Sequence, residues 1–290
     1  MKDQAEKLRM MMQARSEHKK AKTLAVVSGK GGVGKTNVSA NLAIILARKG
    51  YRVCLIDLDV GMGNVNILYG GNPSGTLYDF LTRGIPLESI LMPGPQGVTF
   101  ISGGNGLSEV PVLSRSMAAG LLSGLQTLES QYDFILFDMA AGAAAGTLQI
   151  LLSVNEILVV ATPEPTAMTD AYSMMKFIHL EDSESRFLVI CNRSDNERQG
   201  METFGRLQRA MQKFLSKEIS LLGILPEDPH VRKAVIGQTS FIEQYPRSPV
   251  ALQLNKMADR YLNGVTLGLE RKETFIGKLR RLFQDKEERR

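Results

Sequence analysis

Ser28-Gly29-Lys30-Gly31-Gly32-Val33-Gly34-Lys35-Thr36 stands between an apolar run, Leu24-Ala25-Val26-Val27, and a helical pattern beginning Asn37-Val38-Ser39-Ala40-Asn41-Leu42-Ala43. From Gly29 to Thr36 it fits G-x-x-x-x-G-K-[ST], and the strand and helix on either side supply the context this short pattern needs. Glycines let backbone N–H groups curl around a chain of phosphates, and the start of the helix turns its positive end toward them. Lys35 is placed to reach the terminal phosphates, and the Thr36 hydroxyl to ligate Mg²⁺. Gly29 through Thr36, with Asn37 directly behind them, are therefore candidate nucleotide contacts.

Outward from this loop, short apolar runs alternate with helical segments. Strands are expected at 23–28, 52–57, 98–102, 134–138, 157–161, 186–191 and 221–225, and helices near 35–48, 114–129, 166–179, 199–216 and 249–263. The alternation implies an α/β fold: a doubly wound, mostly parallel sheet with helices on both faces, in a single domain. Gly50, behind Arg48 and Lys49, closes the first helix as a glycine cap does. Residues 70–75 and 92–97, rich in Gly and Pro, read as loops.

At 290 residues, 43% hydrophobic and 22% charged, the chain is long enough to bury a core and has the composition of a soluble globular protein. It holds no run of 18 apolar residues and no apolar stretch near Met1, so neither a transmembrane helix nor a signal peptide is expected. Cys54 and Cys191 each fall inside an apolar strand without a C-x-x-C partner. They read as buried free thiols of a reducing compartment, not as cluster ligands. His18, His179 and His230 share no ligand spacing, and no G-x-S-x-G nucleophile occurs. The formal charge of +5 sits at the ends: residues 1–22 hold seven Lys/Arg against three Asp/Glu, and residues 270–290 eight against five. The body between them is slightly acidic, which does not favour binding to nucleic acid.

Three strands end in chemistry-bearing residues. Leu55-Ile56-Asp57-Leu58-Asp59 puts two carboxylates on one side of an extended chain, in the crevice where such sheets bind ligands. Tyr132-Asp133-Phe134-Ile135-Leu136-Phe137-Asp138 is an apolar strand closed by an acid, the Walker B pattern. Asp138 is expected to hold Mg²⁺ through water and complement Thr36. Ile190-Cys191-Asn192-Arg193 ends the sixth strand. The Asn192 amide can donate to and accept from an adenine edge, and the same residue also suits an ordinary turn.

Lys30 is not needed to build an ordinary phosphate loop. Lys30-Gly31-Gly32-Val33-Gly34-Lys35-Thr36 resembles the variant Walker A motif of the MinD/ParA family of dimerising ATPases, and the resemblance covers residues 23–265. It implies ATP hydrolysis with ATP and Mg²⁺ as cofactors. Lys30 would reach across a two-fold dimer to the partner's nucleotide, a cation supplied in trans, while Lys35 serves its own. The resemblance assigns Asp57 to the magnesium shell with Thr36 and Asp138. It gives Asp59 the orienting of the attacking water, a role that suits a carboxylate acceptor. Pro226 and Asp228 are placed with Asn192 and Arg193 against base and ribose. Met139-Ala140-Ala141-Gly142 resembles the switch segment that senses the γ-phosphate. Many relatives carry a proline and a serine or threonine where this chain has Met139 and Ala140, so the implied contacts fall to Ala141 and the Gly142 N–H.

The two ends point to a branch of that family. Phe275, Ile276, Leu279, Leu282 and Phe283 share one helical face, with Lys278, Arg280 and Arg281 off it. This is the pattern of a helix lying in an anionic membrane surface, and also that of a helix packed on the core. Nucleotide state can switch between the two. Asp3-Gln4-Ala5-Glu6-Lys7-Leu8-Arg9 resembles the leader of the FlhG branch (also called YlxH or FleN), ATPases that limit flagellar number and place. That resemblance implies a flexible partner-activating leader over 1–22, an ATPase domain over 23–265 and a membrane-targeting tail over 266–290. Through Asp3, Gln4, Ala5, Leu8 and Arg9 the leader would stimulate FlhF, a GTPase of the signal-recognition-particle type. ATP would drive a cytoplasmic homodimer onto the inner face of the cell membrane, with flagellar switch and C-ring components as further partners. A MinD-like division-site positioner and a ParA-like DNA or cargo positioner are the alternatives.

Overall fold

The computed structural model describes residues 20–59, 63, 65–104, 114–140, 147–264 and 273–288. Its strands are β1 (Lys22–Val27), β2 (Val53–Asp57), β3 (Met92–Pro93), β4 (Thr99–Ile101), β5 (Phe134–Asp138), β6 (Glu156–Ala161), β7 (Phe187–Ser194) and β8 (Ser220–Pro226). The helices are α1 (Lys35–Arg48), α2 (Val65–Tyr69), α3 (Leu77–Arg83), α4 (Arg115–Gln131), α5 (Leu148–Ser153) and α6 (Pro165–Glu181). They continue with α7 (Glu197–Leu215), α8 (Pro229–Ile236), α9 (Phe241–Gln244), α10 (Pro249–Leu262) and α11 (Phe275–Glu288).

The described strands make one sheet in the order β3-β4-β2-β5-β1-β6-β7-β8, parallel throughout except where β3 runs against β4. The chain winds from central β1 out to β2 and β4, returns to β5 beside β1, then steps to β6, β7 and β8. The winding reverses at β1, so the loop leaving β1 opens at the switch point where doubly wound sheets take ligands.

Side chains alternate between two cores. β1 sends Ala25 and Val27 to one and Leu24 and Val26 to the other; β5 divides Ile135 and Phe137 from Phe134 and Leu136 in the same way. Residues of α1, α8, α9 and α10 fill one core, and those of α3, α4, α5, α6, α7 and α11 the other. Because both faces are covered, the strands read as unbroken apolar runs.

The seven expected strands and five expected helices are all present. β3 was hidden in the Pro/Gly run at 92–97, and it pairs through only two residues with β4. At the opposite edge the Arg260 guanidinium donates to the Leu222 carbonyl of β8 at 3.3 Å. No described helix is long and apolar enough to cross a membrane.

The tail helix shows the packed arrangement of its two readings. Phe275, Ile276, Leu279 and Phe283 are buried and Leu282 is half-buried, in the core shared with α4 and α5. The Phe275 ring lies 5.6 Å from that of Phe137. In this conformation the face expected to meet lipid belongs to the core. Burying four such side chains is worth roughly 1.5–3 kcal/mol each, which favours docking over exposure to water. Lys278, expected to flank the face, is also buried and pairs with Asp182 at 2.6 Å.

Candidate functional site

The loop between β1 and α1 is shaped by its surroundings. A Cβ on Gly29 would lie 2.0 Å from the Asp170 backbone, so only glycine lets the loop pass α6. Gly34 begins α1 in the left-handed region (φ 92°), which glycine adopts without strain. Ser28 Oγ donates to the Lys30 carbonyl at 3.0 Å, and Asn192 Nδ2 donates to the Val33 carbonyl at 2.7 Å. The loop's shape is thus held from both sides.

Three charged groups meet beneath it. Strand register sets Asp57 of β2 opposite Asp138 of β5. Lys35 Nζ donates to Asp138 Oδ1 at 2.8 Å, with both side chains buried. Asp57 is wholly buried, and its Oδ1 and Oδ2 accept from the N–H groups of Asp59 (2.9 Å) and Val65 (3.3 Å). Burial, then the neighbouring Asp138 charge, push the Asp57 carboxyl up to about 7, against the pull of those two N–H groups and Lys35. Asp138 Oδ2 is buried and has no hydrogen-bond partner among the described residues.

An unsatisfied buried carboxylate oxygen calls for a cation. With the Asp57 carboxylate and the Thr36 hydroxyl at the start of α1, the donor set is all oxygen, as Mg²⁺ prefers. The residues therefore fit that ion. Asp59 follows at the mouth of the same crevice, half-buried.

Lys30 leans outward. Its Nζ lies 3.6 Å from Glu164 Oε2 and 3.5 Å from Thr166 Oγ1, at the start of α6, with 46% of the side chain exposed. Neither Glu164 nor Thr166 was expected here. The signal that could have found them is Thr162-Pro163-Glu164-Pro165-Thr166, a proline-marked turn at a strand tip of the same crevice.

The residues expected around base and ribose come together at the tips of β7 and β8, with different employment. Arg193, itself left-handed (φ 57°), donates through Nε to Glu227 Oε2 at 2.7 Å. Pro226 ends β8. Asp228 Oδ1 accepts from the His230 N–H at 2.9 Å and lies 2.8 Å from His230 Nδ1, while Oδ2 accepts from the Val250 N–H at 3.2 Å. Burial pushes the Asp228 carboxyl up, but the His230 and Val250 N–H groups and the His230 ring outweigh it and hold it below the usual range. Both oxygens are thus taken up in closing the N-termini of α8 and α10, so Asp228 organises the crevice wall rather than facing a ribose. Asn192 Nδ2 is likewise engaged at the phosphate loop, through its bond to the Val33 carbonyl. Ala141 and Gly142 of the expected switch, and Asp3, Gln4, Ala5, Leu8 and Arg9 of the leader, lie outside the described residues.

Residues 19–262 match the ParA family, described as NUBPL iron-transfer P-loop NTPase. The two cysteines lie buried in β2 and β7, with three strands between them, and burial pushes the Cys191 thiol up to about 12. The chain is 36% identical over 237 residues to the antiactivator FleN of Pseudomonas aeruginosa, covering 82% of this chain and 85% of that one. It is 32% identical over 215 residues to the flagellum site-determining protein YlxH of Helicobacter pylori, covering 74% and 72%. Among solved structures it resembles the Pyrococcus furiosus cell division ATPase MinD (TM-score 0.66, 25% identity, 84% of this chain and 99% of that one). The septum site-determining protein MinD of Pyrococcus horikoshii, complexed with Mg-ADP, is as similar (TM-score 0.66, 25% identity, 84% and 98%). A phosphate loop over paired strand-tip acids, on this sheet and with these relatives, makes the chain a member of the ParA/MinD family of P-loop ATPases.

Proposed function

We propose that the chain is an ATP-dependent dimerising switch that controls the number and placement of flagella. The observation that carries this reading is the similarity to a flagellar antiactivator and a flagellum site-determining protein over most of the chain. The leader Asp3-Gln4-Ala5-Glu6-Lys7-Leu8-Arg9 supports it.

In this reading Lys35 exchanges Asp138 for the terminal phosphates, and Lys30 leaves Glu164 for the nucleotide of a second copy. Asp59 orients the attacking water by accepting its hydrogen bond. Thr36, Asp57 and Asp138 hold Mg²⁺, which when bound supplies positive charge against the phosphates. Asn192, Arg193 and Pro226 frame the base. Two copies docked through their nucleotides release α11 to an anionic membrane, where the pair gains the avidity that one helix lacks. The leader stimulates the GTPase FlhF. Likeness to MinD structures favours one other reading, a division-site positioner with the same switch.

The test is GTP turnover by FlhF with and without a peptide of residues 1–22. Stimulation that is lost when Gln4 and Arg9 become Ala is expected. No stimulation, by the peptide or by the full chain with ATP, would overturn the flagellar assignment and leave the MinD-like one.

A further inference from the structure

The segment leaving β4, Ser102-Gly103-Gly104, runs between two parts of the molecule. On one side the Leu77 N–H donates to the Ser102 carbonyl at 2.8 Å and the Tyr78 N–H to the Gly103 carbonyl at 3.2 Å, tying the segment to the first turn of α3. On the other side lies the backbone that carries Asp59. A Cβ on Gly103 would sit 2.6 Å from the Asp59 carbonyl oxygen, 2.9 Å from the Asp59 carbonyl carbon and 2.9 Å from the Asp57 carbonyl oxygen. The Gly63 N–H donates to the Gly104 carbonyl at 3.2 Å, and a Cβ on Gly63 would meet that oxygen at 2.9 Å. Backbone thus touches backbone along the root and the far end of the segment after β2. The side chains missing from 103 and 63 are what permit it. The three atoms nearest a methyl at 103 are main-chain atoms, which cannot swing aside as a flexible side chain can.

We propose that Gly103 is a positioning residue for hydrolysis: the space at its missing side chain sets where Asp59 stands over the reacting phosphate. Gly103 has no place in holding nucleotide; it acts only through the Asp57–Asp59 backbone. The inference rests on the reading of Asp59 as the water-orienting residue. A catalytic carboxylate displaced by even about 1 Å costs on the order of a hundredfold in rate, so contact this close is enough to matter. Gly103 itself has an ordinary backbone conformation, because positive φ begins only at Gly104 (φ 147°). Alanine is therefore excluded there by contact, not by backbone strain.

The experiment measures ATP turnover, affinity for a fluorescent ADP analogue, and dimer content with ATP, on Gly103→Ala, Asp59→Ala and a control, Gly120→Ala. A methyl on Gly120 meets nothing nearer than Phe80 at 3.8 Å. Gly103→Ala is expected to lower kcat at least about tenfold, keep ADP affinity within about threefold, and accumulate ATP-bound dimers as Asp59→Ala does. Wild-type turnover in Gly103→Ala, or loss of turnover and affinity in parallel, would overturn the proposal. Should Gly103→Ala not fold, Gly63→Ala crowds the neighbouring contact with Gly104, where its methyl also meets Asp57 Oδ2 at 3.1 Å. The same split with Mg²⁺ affinity unchanged supports the proposal, and its absence overturns it. Asp59→Ala separates the two levels: if it hydrolyses ATP normally, the reading of Asp59 fails, whatever Gly103 does. If it is dead while a folded Gly103→Ala is active, only the positioning role falls.

Discussion

Lys278 Nζ of α11 lies 2.6 Å from Asp182 Oδ2 at the end of α6, and both side chains are largely buried. The tail is therefore held by a desolvated ion pair as well as by its apolar face. Removing one partner of such a pair costs about 3 kcal/mol, because the other charge is left unmatched. Asp182→Ala is expected to raise ATP-independent co-sedimentation with anionic liposomes by about tenfold or more. Sedimentation unchanged from the parent chain would show that the apolar face alone sets docking.

The same pair gives docking a dependence on pH. Burial pushes the Asp182 carboxyl up, but hydrogen bonds from Lys278 and Ser185 outweigh it and hold it below its ordinary value. A carboxylate with a depressed folded value stabilises fully above about pH 4 and loses that contribution as pH falls through the folded value. Hydrogen-exchange protection of α11 should therefore stay level from about pH 8 to 5 and fall below about pH 4. In Asp182→Asn this acid-driven loss should be absent.

Asp57 has the opposite sign. Its folded value near 7 exceeds that of an unfolded aspartate, so the protein without nucleotide or metal is destabilised as pH rises from about 4 to about 7. Asp57→Asn should raise the thermal midpoint at pH 8 in the presence of a chelator, at about 2–4 °C for each kcal/mol relieved, while ATP turnover falls. A midpoint that does not move at pH 8 would contradict this account of the acid pair.

Lys30 and Glu164 are both about half exposed, so their attraction is worth no more than about 1 kcal/mol. Glu164→Ala should therefore shift the ATP concentration needed for dimers downward by no more than about fivefold. Lys30→Ala should bind nucleotide within about threefold of the parent and form no ATP-dependent dimer by size-exclusion chromatography.

Much of this could be read from the chain because buried parallel strands advertise themselves. Leu24 to Val27 and Phe134 to Phe137 are continuous apolar runs, and the loop and acids at their tips follow fixed spacings. The short helices α2, α3, α5 and α9 could not be read, since four to seven residues hold too few turns for a period to show. Asp228 was visible as an acid at a strand tip. Its two backbone donors come from His230 and from Val250, one near and one 22 residues away, and only the fold brings the second there. The tail was legible as a two-sided helix. Its pattern alone does not distinguish a lipid surface from the groove beside Phe137, because both reward the same apolar face. The partner of Lys278 is likewise set by packing, since no spacing rule joins 278 to 182.

The borders of the sheet bear on how copies of this chain meet. At one border β3 stops after two residues on Pro93, which has no N–H to offer; at the other, the Leu222 carbonyl is already occupied by Arg260. A strand from a neighbouring molecule finds only two residues to pair with at the first border and one acceptor fewer at the second. Encounter along the hydrogen-bonding direction, the route that leads to irreversible stacks, is discouraged most at the β3 border. In the proposed switch, pairing uses the ends of the strands, where the contact consists of side chains and the nucleotide they grip. In that switch, an assembly made that way comes apart when the small molecule changes.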